Sequence, residues 1–276
     1  MIRRVLVLTR YMAGSLLLSL AGTLFIILSL LFWAIFFPPG QGTPDFENYF
    51  LIIAALGGVV TFLSALTIAS RANRAENYPL LTRLPSRVEY LTAVLGAALL
   101  FGMLMQFLVA ALALISGPEL LAARFLQIPP VWIAIDILAG VLALHATDLV
   151  ASGWSRVIIF GSLALLLIGE NIVERLNTWL LQLVSAISSA MYARQITSVA
   201  DLLGNVSAWL YSSGTNFFTD LLGIVFWPFQ AISDAVIAGG FTRTQALAPA
   251  VLLLYATMLF LLAADLFATK DLEMLE

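Results

Sequence analysis

Four arginines, Arg71, Arg74, Arg83 and Arg87, crowd the stretch 70–90, SRANRAENYPLLTRLPSRVEY, together with Glu76 and Glu89. Guanidinium groups pair with carboxylates or phosphates, and a cluster of them resists translocation, which fixes such a loop on the cytoplasmic side of a membrane. The remaining candidate chemistry is sparse and lies in apolar surroundings: Gln106, Asp136, His145 with Asp148, Glu170, and Glu174 beside Arg175. A charge at the bilayer centre costs about 2.5–3.5 kcal/mol on insertion scales, so such residues need partners or a wet cavity. Gln106, Asp136 and Glu170 are candidates for a translocation path. All three are expected in the outer halves of their spans, Asp136 about one and a half helical turns below the surface. The structural alternative pairs Arg175 with Glu174 or Asp136 at the headgroups; Glu170 has no sequence-local partner. His145 and Asp148, three residues apart, share one helix face and are expected to form a hydrogen-bonded pair, since no third group completes a proton relay.

Several classes of function lose support at once. No glycine-rich phosphate loop of the Walker type is present, so any ATP use requires a site on a partner. The absence of cysteine removes disulfides, thiolate catalysis and thiolate metal sites, and one histidine is too few for a histidine-rich metal centre. A serine hydrolase built on Ser155 and His145 lacks a strand–turn–helix context, and Ser155 sits beside Arg156 at an interface. A secondary transporter is expected to show two similar halves, and no internal repeat is visible. The chain is therefore expected to be neither an enzyme nor cofactor-bound, and no nucleic-acid partner is expected.

The elements that must position these residues are apolar helices. The chain is 62% hydrophobic and 11% charged, with a mean hydropathy of +1.02, a balance that excludes a soluble globular domain. A helix crosses the hydrocarbon core with roughly 20 apolar residues, and six stretches qualify: 12–37, 49–69, 89–115, 131–150, 157–178 and 246–267. The run 12–37 is too long for a signal-peptide core and is closed by no small-residue cleavage site, so it reads as an uncleaved first span. With the N-terminus inside, Arg3, Arg4, Arg10, the four loop arginines, Arg156 and Lys270 all face the cytoplasm, leaving Arg124, Arg175, Arg194 and Arg243 outside. That bias predicts both termini in the cytoplasm, with Trp132 and Trp179 at outer interfaces. Residues 180–245 carry serine- and glycine-rich turns and isolated charges. They are expected to form interfacial or re-entrant helices on the outer face between spans five and six, with Pro228 breaking the apolar piece 221–238. The expected fold is thus all-α, a single transmembrane domain over 1–276 with six spans.

Within the polar loop, Arg71 to Asn77 extends the second span, bringing Arg71 near Glu76 or Arg74 near Tyr78. Pro79 fits the first turn of a new helix, where its missing N–H does no harm. Leu80, Leu81 and Leu84 make an apolar stripe, Pro85 ends the helix, and Ser86 caps the third span with Glu89 at capping-box distance. Such an element can plug into a groove on a cytosolic partner; the plainer reading is a topogenic basic loop facing lipid headgroups.

The run Glu76-Asn-Tyr-Pro-Leu-Leu-Thr-Arg-Leu-Pro-Ser-Arg-Val-Glu-Tyr90 resembles the first cytoplasmic loop of ABC type-2 transporter permeases, where an acidic residue precedes a Leu-Leu-x-x-Leu-Pro run leading into the third span. The tail Ala264-Asp-Leu-Phe-Ala-Thr-Lys-Asp-Leu272 resembles the ending of that family. The resemblance implies a multi-pass permease subunit of an ABC exporter in the cell (inner, cytoplasmic) membrane. It implies two permease copies or paralogues in contact with lipid, and a separate ABC ATPase subunit that grips the loop as a coupling helix. The coupling residues would be Arg74, Glu76, Leu80, Leu81, Arg83, Leu84 and Arg87. The competing reading is a non-transporting membrane scaffold or accessory subunit of a larger membrane complex, because no residue names a substrate.

Overall fold

The computed structural model describes residues 2–38, 45–115, 128–150, 157, 160–161, 178–179, 181–193, 195, 197–209 and 215–269. Among them every regular element is helical. The chain forms two compact units, 1–159 with 228–276, and 160–227.

In the first unit α1 (Ile2–Leu17) and α2 (Leu20–Phe36) are followed by α3 (Phe46–Ala72), a single 3₁₀ turn at Ala75–Asn77 and the five-residue α4 (Tyr78–Thr82). Two long helices follow, α5 (Arg87–Ile115) and α6 (Ile128–His145). The core is the triangle of α3, α5 and α6, with α3 packed along both neighbours. At about 1.5 Å per residue, α3 (27 residues) and α5 (29 residues) run to roughly 40 Å, more than the ~30 Å hydrocarbon layer, so each carries a turn or more beyond it or crosses at a tilt. Alanine and glycine on the shared faces let the backbones approach closely, which is how helices associate where no hydrophobic effect separates lipid from leucine.

The expected continuous first span over 12–37 is instead two helices bent by 71° at Leu18–Ser19. No proline is involved. Ser19 ends one helix and starts the next: its hydroxyl donates to the Leu16 carbonyl at 2.7 Å and accepts from the Gly22 amide at 3.3 Å. One side chain thus satisfies an orphan backbone group at each helix end. Helix α1 lies across the start of α5, burying Met12, Ala13 and Leu16 and leaving Arg3 and Arg10 exposed. Arg4 bridges it to α5 through Glu89, with Nε 3.3 Å from Oε2. Helix α2 rests on α5 and α3, where Phe25 meets Phe101 edge-on.

Helix α6 starts at Ile128, before two prolines that its first turn accommodates, and ends at His145 rather than at 150. The expected interfacial Trp132 is half-buried in an aromatic cluster with Tyr49 and Phe50, donating to the Phe50 carbonyl at 3.2 Å. Trp179 is 56% exposed.

In the second unit α7 (Leu181–Ala193) and α8 (Thr197–Trp209) form a hairpin around Gln195, which turns in the left-handed region at φ 58°. Ser188 donates to the Ala200 carbonyl, and the Tyr192 hydroxyl donates to the Asp201 carboxylate. The next helix, α9 (Thr215–Ile237), continues through Pro228 instead of breaking there. One missing backbone donor removes a single rung and leaves the flanking turns intact. A 3₁₀ turn at Gln245–Leu247 then leads into α10 (Ala248–Thr269), which packs on α6 and α5.

Among the described residues four helical segments, Phe46–Ala72, Arg87–Leu114, Ile128–His145 and Gln245–Thr269, are long and apolar enough to cross a membrane, and a fifth is added where the bent pair α1–α2 counts as one span. The chain is a helical multi-pass membrane protein on that basis. The expected span at 157–178 falls almost wholly outside the described residues.

Candidate functional site

The polar loop is held at both ends by the spans it joins. Asn73 closes α3 with its amide on the Ala69 carbonyl, and the Asn77 side-chain amide donates back to the Arg71 carbonyl at 2.8 Å. Pro79 occupies the first turn of α4 as expected. Ser86 accepts from the Val88 amide at 3.2 Å and so caps α5, while Glu89 turns its carboxylate to Arg4. Tyr90, buried at the base of α5, donates to the Ala72 carbonyl at 2.9 Å and stacks on Phe267 of α10. Arg87 donates to the Ala268 carbonyl at 3.3 Å, where a cation favours the C-terminal end of α10.

The predicted coupling residues divide by exposure. Arg74, Glu76 and Arg83 are exposed, as are Pro79 and Pro85 between them. Leu81 is buried at 9%, and Leu80, Leu84 and Arg87 are half-buried. The leucine stripe therefore anchors the loop helix largely on its own chain, and the surface open to another protein is charged. Arg71 and Glu76 line the same cavity, and Arg71 Nη2 donates to Ser19 Oγ at 3.0 Å.

Gln106 and Asp136 meet in the α3–α5–α6 triangle. A β-carbon on Gly57 would collide with the Gln106 amide nitrogen and lie 2.8 Å from Asp136 Oδ1, so both side chains converge on the space that this glycine leaves. Gln106 Nε2 also donates to the Ile53 carbonyl at 3.2 Å. One turn further along all three helices the pattern repeats with the roles exchanged. Thr61 stands on α3 against Gly102 of α5 and Gly140 of α6; a β-carbon on Gly102 would strike the threonine hydroxyl. Gln106 is 4% exposed and Asp136 and Thr61 are fully buried. Neither carboxyl oxygen of Asp136, nor the Thr61 hydroxyl, has a hydrogen-bond partner among the described residues. Asp136 sits midway along the 18-residue α6, which begins at Ile128, ahead of the expected start of that span at 131. Glu170, with Glu174 and Arg175, lies outside the described residues.

The His145 ring lies with Nε2 2.8 Å from the Leu259 carbonyl of α10, while Asp148 is exposed beyond the end of α6. No group of three or more metal-ligating side chains occurs among the described residues. Gly57, Thr61 and Tyr90 are the site-forming residues that the sequence reading did not single out for these roles. Their trace was present as spacing, because Gly57 precedes Thr61, Gly102 precedes Gln106 and Gly140 follows Asp136 by four residues each. A scan against protein-family models, a search of curated proteins and a search of solved structures each found no match to this chain.

Proposed function

We propose that this chain is the membrane-spanning subunit of an ABC exporter, working as a pair of permease subunits with separate ATPase chains. The observation that carries the proposal is the loop 73–86. It is short, rigidly tied to two spans through Tyr90–Ala72 and Asn77–Arg71, and presents Arg74, Glu76 and Arg83 outward. A lever needs stiff attachment to what it moves and a free surface for what moves it, and this loop has both. ATP-driven movement of a gripped loop would displace α3 and α5 as bodies, a rigid-body switch biased by a ligand bound elsewhere. The six-span arrangement with both termini in the cytoplasm is part of this proposal, supported by the arginine bias. Gln106 and Asp136 then form a closed polar seam that opens when α3 moves against α5 and α6.

The test uses the absence of native cysteine. Arg83→Cys is expected to react with an impermeant maleimide only from the cytoplasmic side. The wild-type chain is expected to co-purify with a nucleotide-hydrolysing polypeptide that the Arg74→Glu/Arg83→Glu variant loses. Exterior labelling of position 83, or a stable complex containing no ATPase, defeats the exporter reading and favours the scaffold.

A further inference from the structure

The joint between α1, the end of α3 and the polar loop forms a half-open cavity of ≈ 280 Å³. Arg71 and Arg74 both line it, with the hydroxyl-bearing Tyr11 and Ser15 from α1. We propose that this cavity is a binding site for the phosphate of an anionic lipid headgroup.

The charge distribution leads there. Neither Arg71 nor Arg74 makes an ion pair among the described residues; the sole bridge described is Arg4 to Glu89. Arg71 is half-buried and held in place by Ser19, so its guanidinium has already lost much of the freedom that binding an anion would otherwise cost. Glu76 also lines the cavity and is exposed, as Arg74 is, leaving the lining with two cations against one carboxylate. The neighbouring chain deepens the bias: residues 1–44 contain no acid, and α1 adds Arg3, Arg4 and Arg10. Guanidinium forks match phosphate oxygens with two parallel charge-assisted bonds, and clustered bases beside a membrane span attract anionic lipid.

The apolar walls separate a lipid from a free anion. Leu16 and Ile68 line the same cavity, next to the exposed Leu17 and Leu18 at the bend. The cavity borders the last turn of α3, a helix long enough to span the membrane, which puts it at headgroup depth whichever face of the membrane that is. An acyl chain can continue from the phosphate along the apolar bend, whereas a soluble phosphate leaves that surface bare. The assignment to the inner leaflet rests on the orientation proposed above; the binding itself does not.

The test reconstitutes the full chain in nanodiscs of phosphatidylcholine mixed with phosphatidylglycerol and counts lipids retained after release by native mass spectrometry. The wild type is expected to retain phosphatidylglycerol selectively, and Arg71→Gln and Arg74→Gln to retain about tenfold less, the loss typical of a charge-assisted contact. Arg3→Gln, exposed on α1 and outside the cavity, is expected to behave as wild type. The Arg74 side chain makes no hydrogen bond among the described residues, and its backbone bonds to Arg71 and Asn77 survive the substitution, so its variant keeps the fold even if loss of the Arg71–Ser19 bond disrupts the bend. Equal retention by all four proteins, or an equal loss in Arg3→Gln, overturns the site. Displacement of phosphatidylglycerol by inorganic phosphate at comparable affinity overturns the lipid assignment and leaves a soluble phosphate as the ligand. Neither readout involves an ATPase, so failure here is distinct from failure of the exporter proposal.

Discussion

The Tyr90 hydroxyl donates to the carbonyl of Ala72 at 2.9 Å, joining the last turn of the span that enters the polar loop to the first turn of the span that leaves it. The bond closes a bracket around residues 73–86 and is buried on both sides. Tyr90→Phe keeps the ring and its stacking on Phe267 but leaves a helix-terminal carbonyl unpaired, at a cost of about 1–3 kcal/mol. Hydrogen exchange is expected to accelerate across 73–86 and to stay unchanged in the middle of α5. Unchanged exchange in the loop would show that the bracket does not hold it.

The two faces of the loop call for opposite responses. Leu81→Ala is expected to lower the unfolding midpoint in detergent, by the equivalent of about 1–3 kcal/mol, since a side chain 9% exposed loses its packing. Arg83→Ala is expected to stay within about 0.5 kcal/mol of wild type, as surface substitutions do. Equal effects in thermal unfolding would contradict the inward leucine and outward arginine.

Gly57→Ala places a methyl group where the Gln106 amide and Asp136 carboxyl converge. Overpacking of this kind costs about 1–3 kcal/mol. Gln106→Ala alone leaves a void, yet combined with Gly57→Ala it restores space for the methyl. The double variant is therefore expected to unfold at a higher temperature than Gly57→Ala, and simple additivity of the two losses would refute the convergence.

Among the described residues Asp136 has no hydrogen-bond donor at either oxygen, so there its carboxyl makes no bond that a carboxamide would lose. Asp136→Asn is expected to match or exceed wild-type stability, because a buried carboxyl without a partner is costly. If the seam is a transport path, the same variant loses export in a cell-based assay while remaining folded. A variant that unfolds would instead assign Asp136 a structural partner.

Arg4 and Arg3 are neighbours with unequal work. Glu89 is 7% exposed at its side chain and its one described ion pair is with Arg4, whose own side chain is 53% exposed. Arg4→Ala is expected to destabilise by about 1 kcal/mol, more than an ordinary surface pair contributes because it strands a buried carboxylate. Arg3→Ala is expected to be near neutral by the same thermal measurement.

Hydropathy alone determined that this protein is a bundle of spanning helices, because about twenty consecutive apolar residues have no other favourable environment. Turn chemistry likewise determined that 73–86 interrupts two of them, with Pro79 opening a short helix and Ser86 capping α5. Only the tertiary structure decided the break at Ser19, since the run 12–37 is apolar throughout and the bend is stabilised by Arg71, fifty-two residues away. The same holds for Pro228, where flanking turns keep a helix that the local rule would end.

The polar seam shows the boundary most clearly. Gln106 and Asp136 were conspicuous in the sequence because apolar spans make any polar residue stand out. Their meeting at Gly57 was not, because it depends on the rotation and axial register of three helices, which interlocking side chains set and no local propensity encodes.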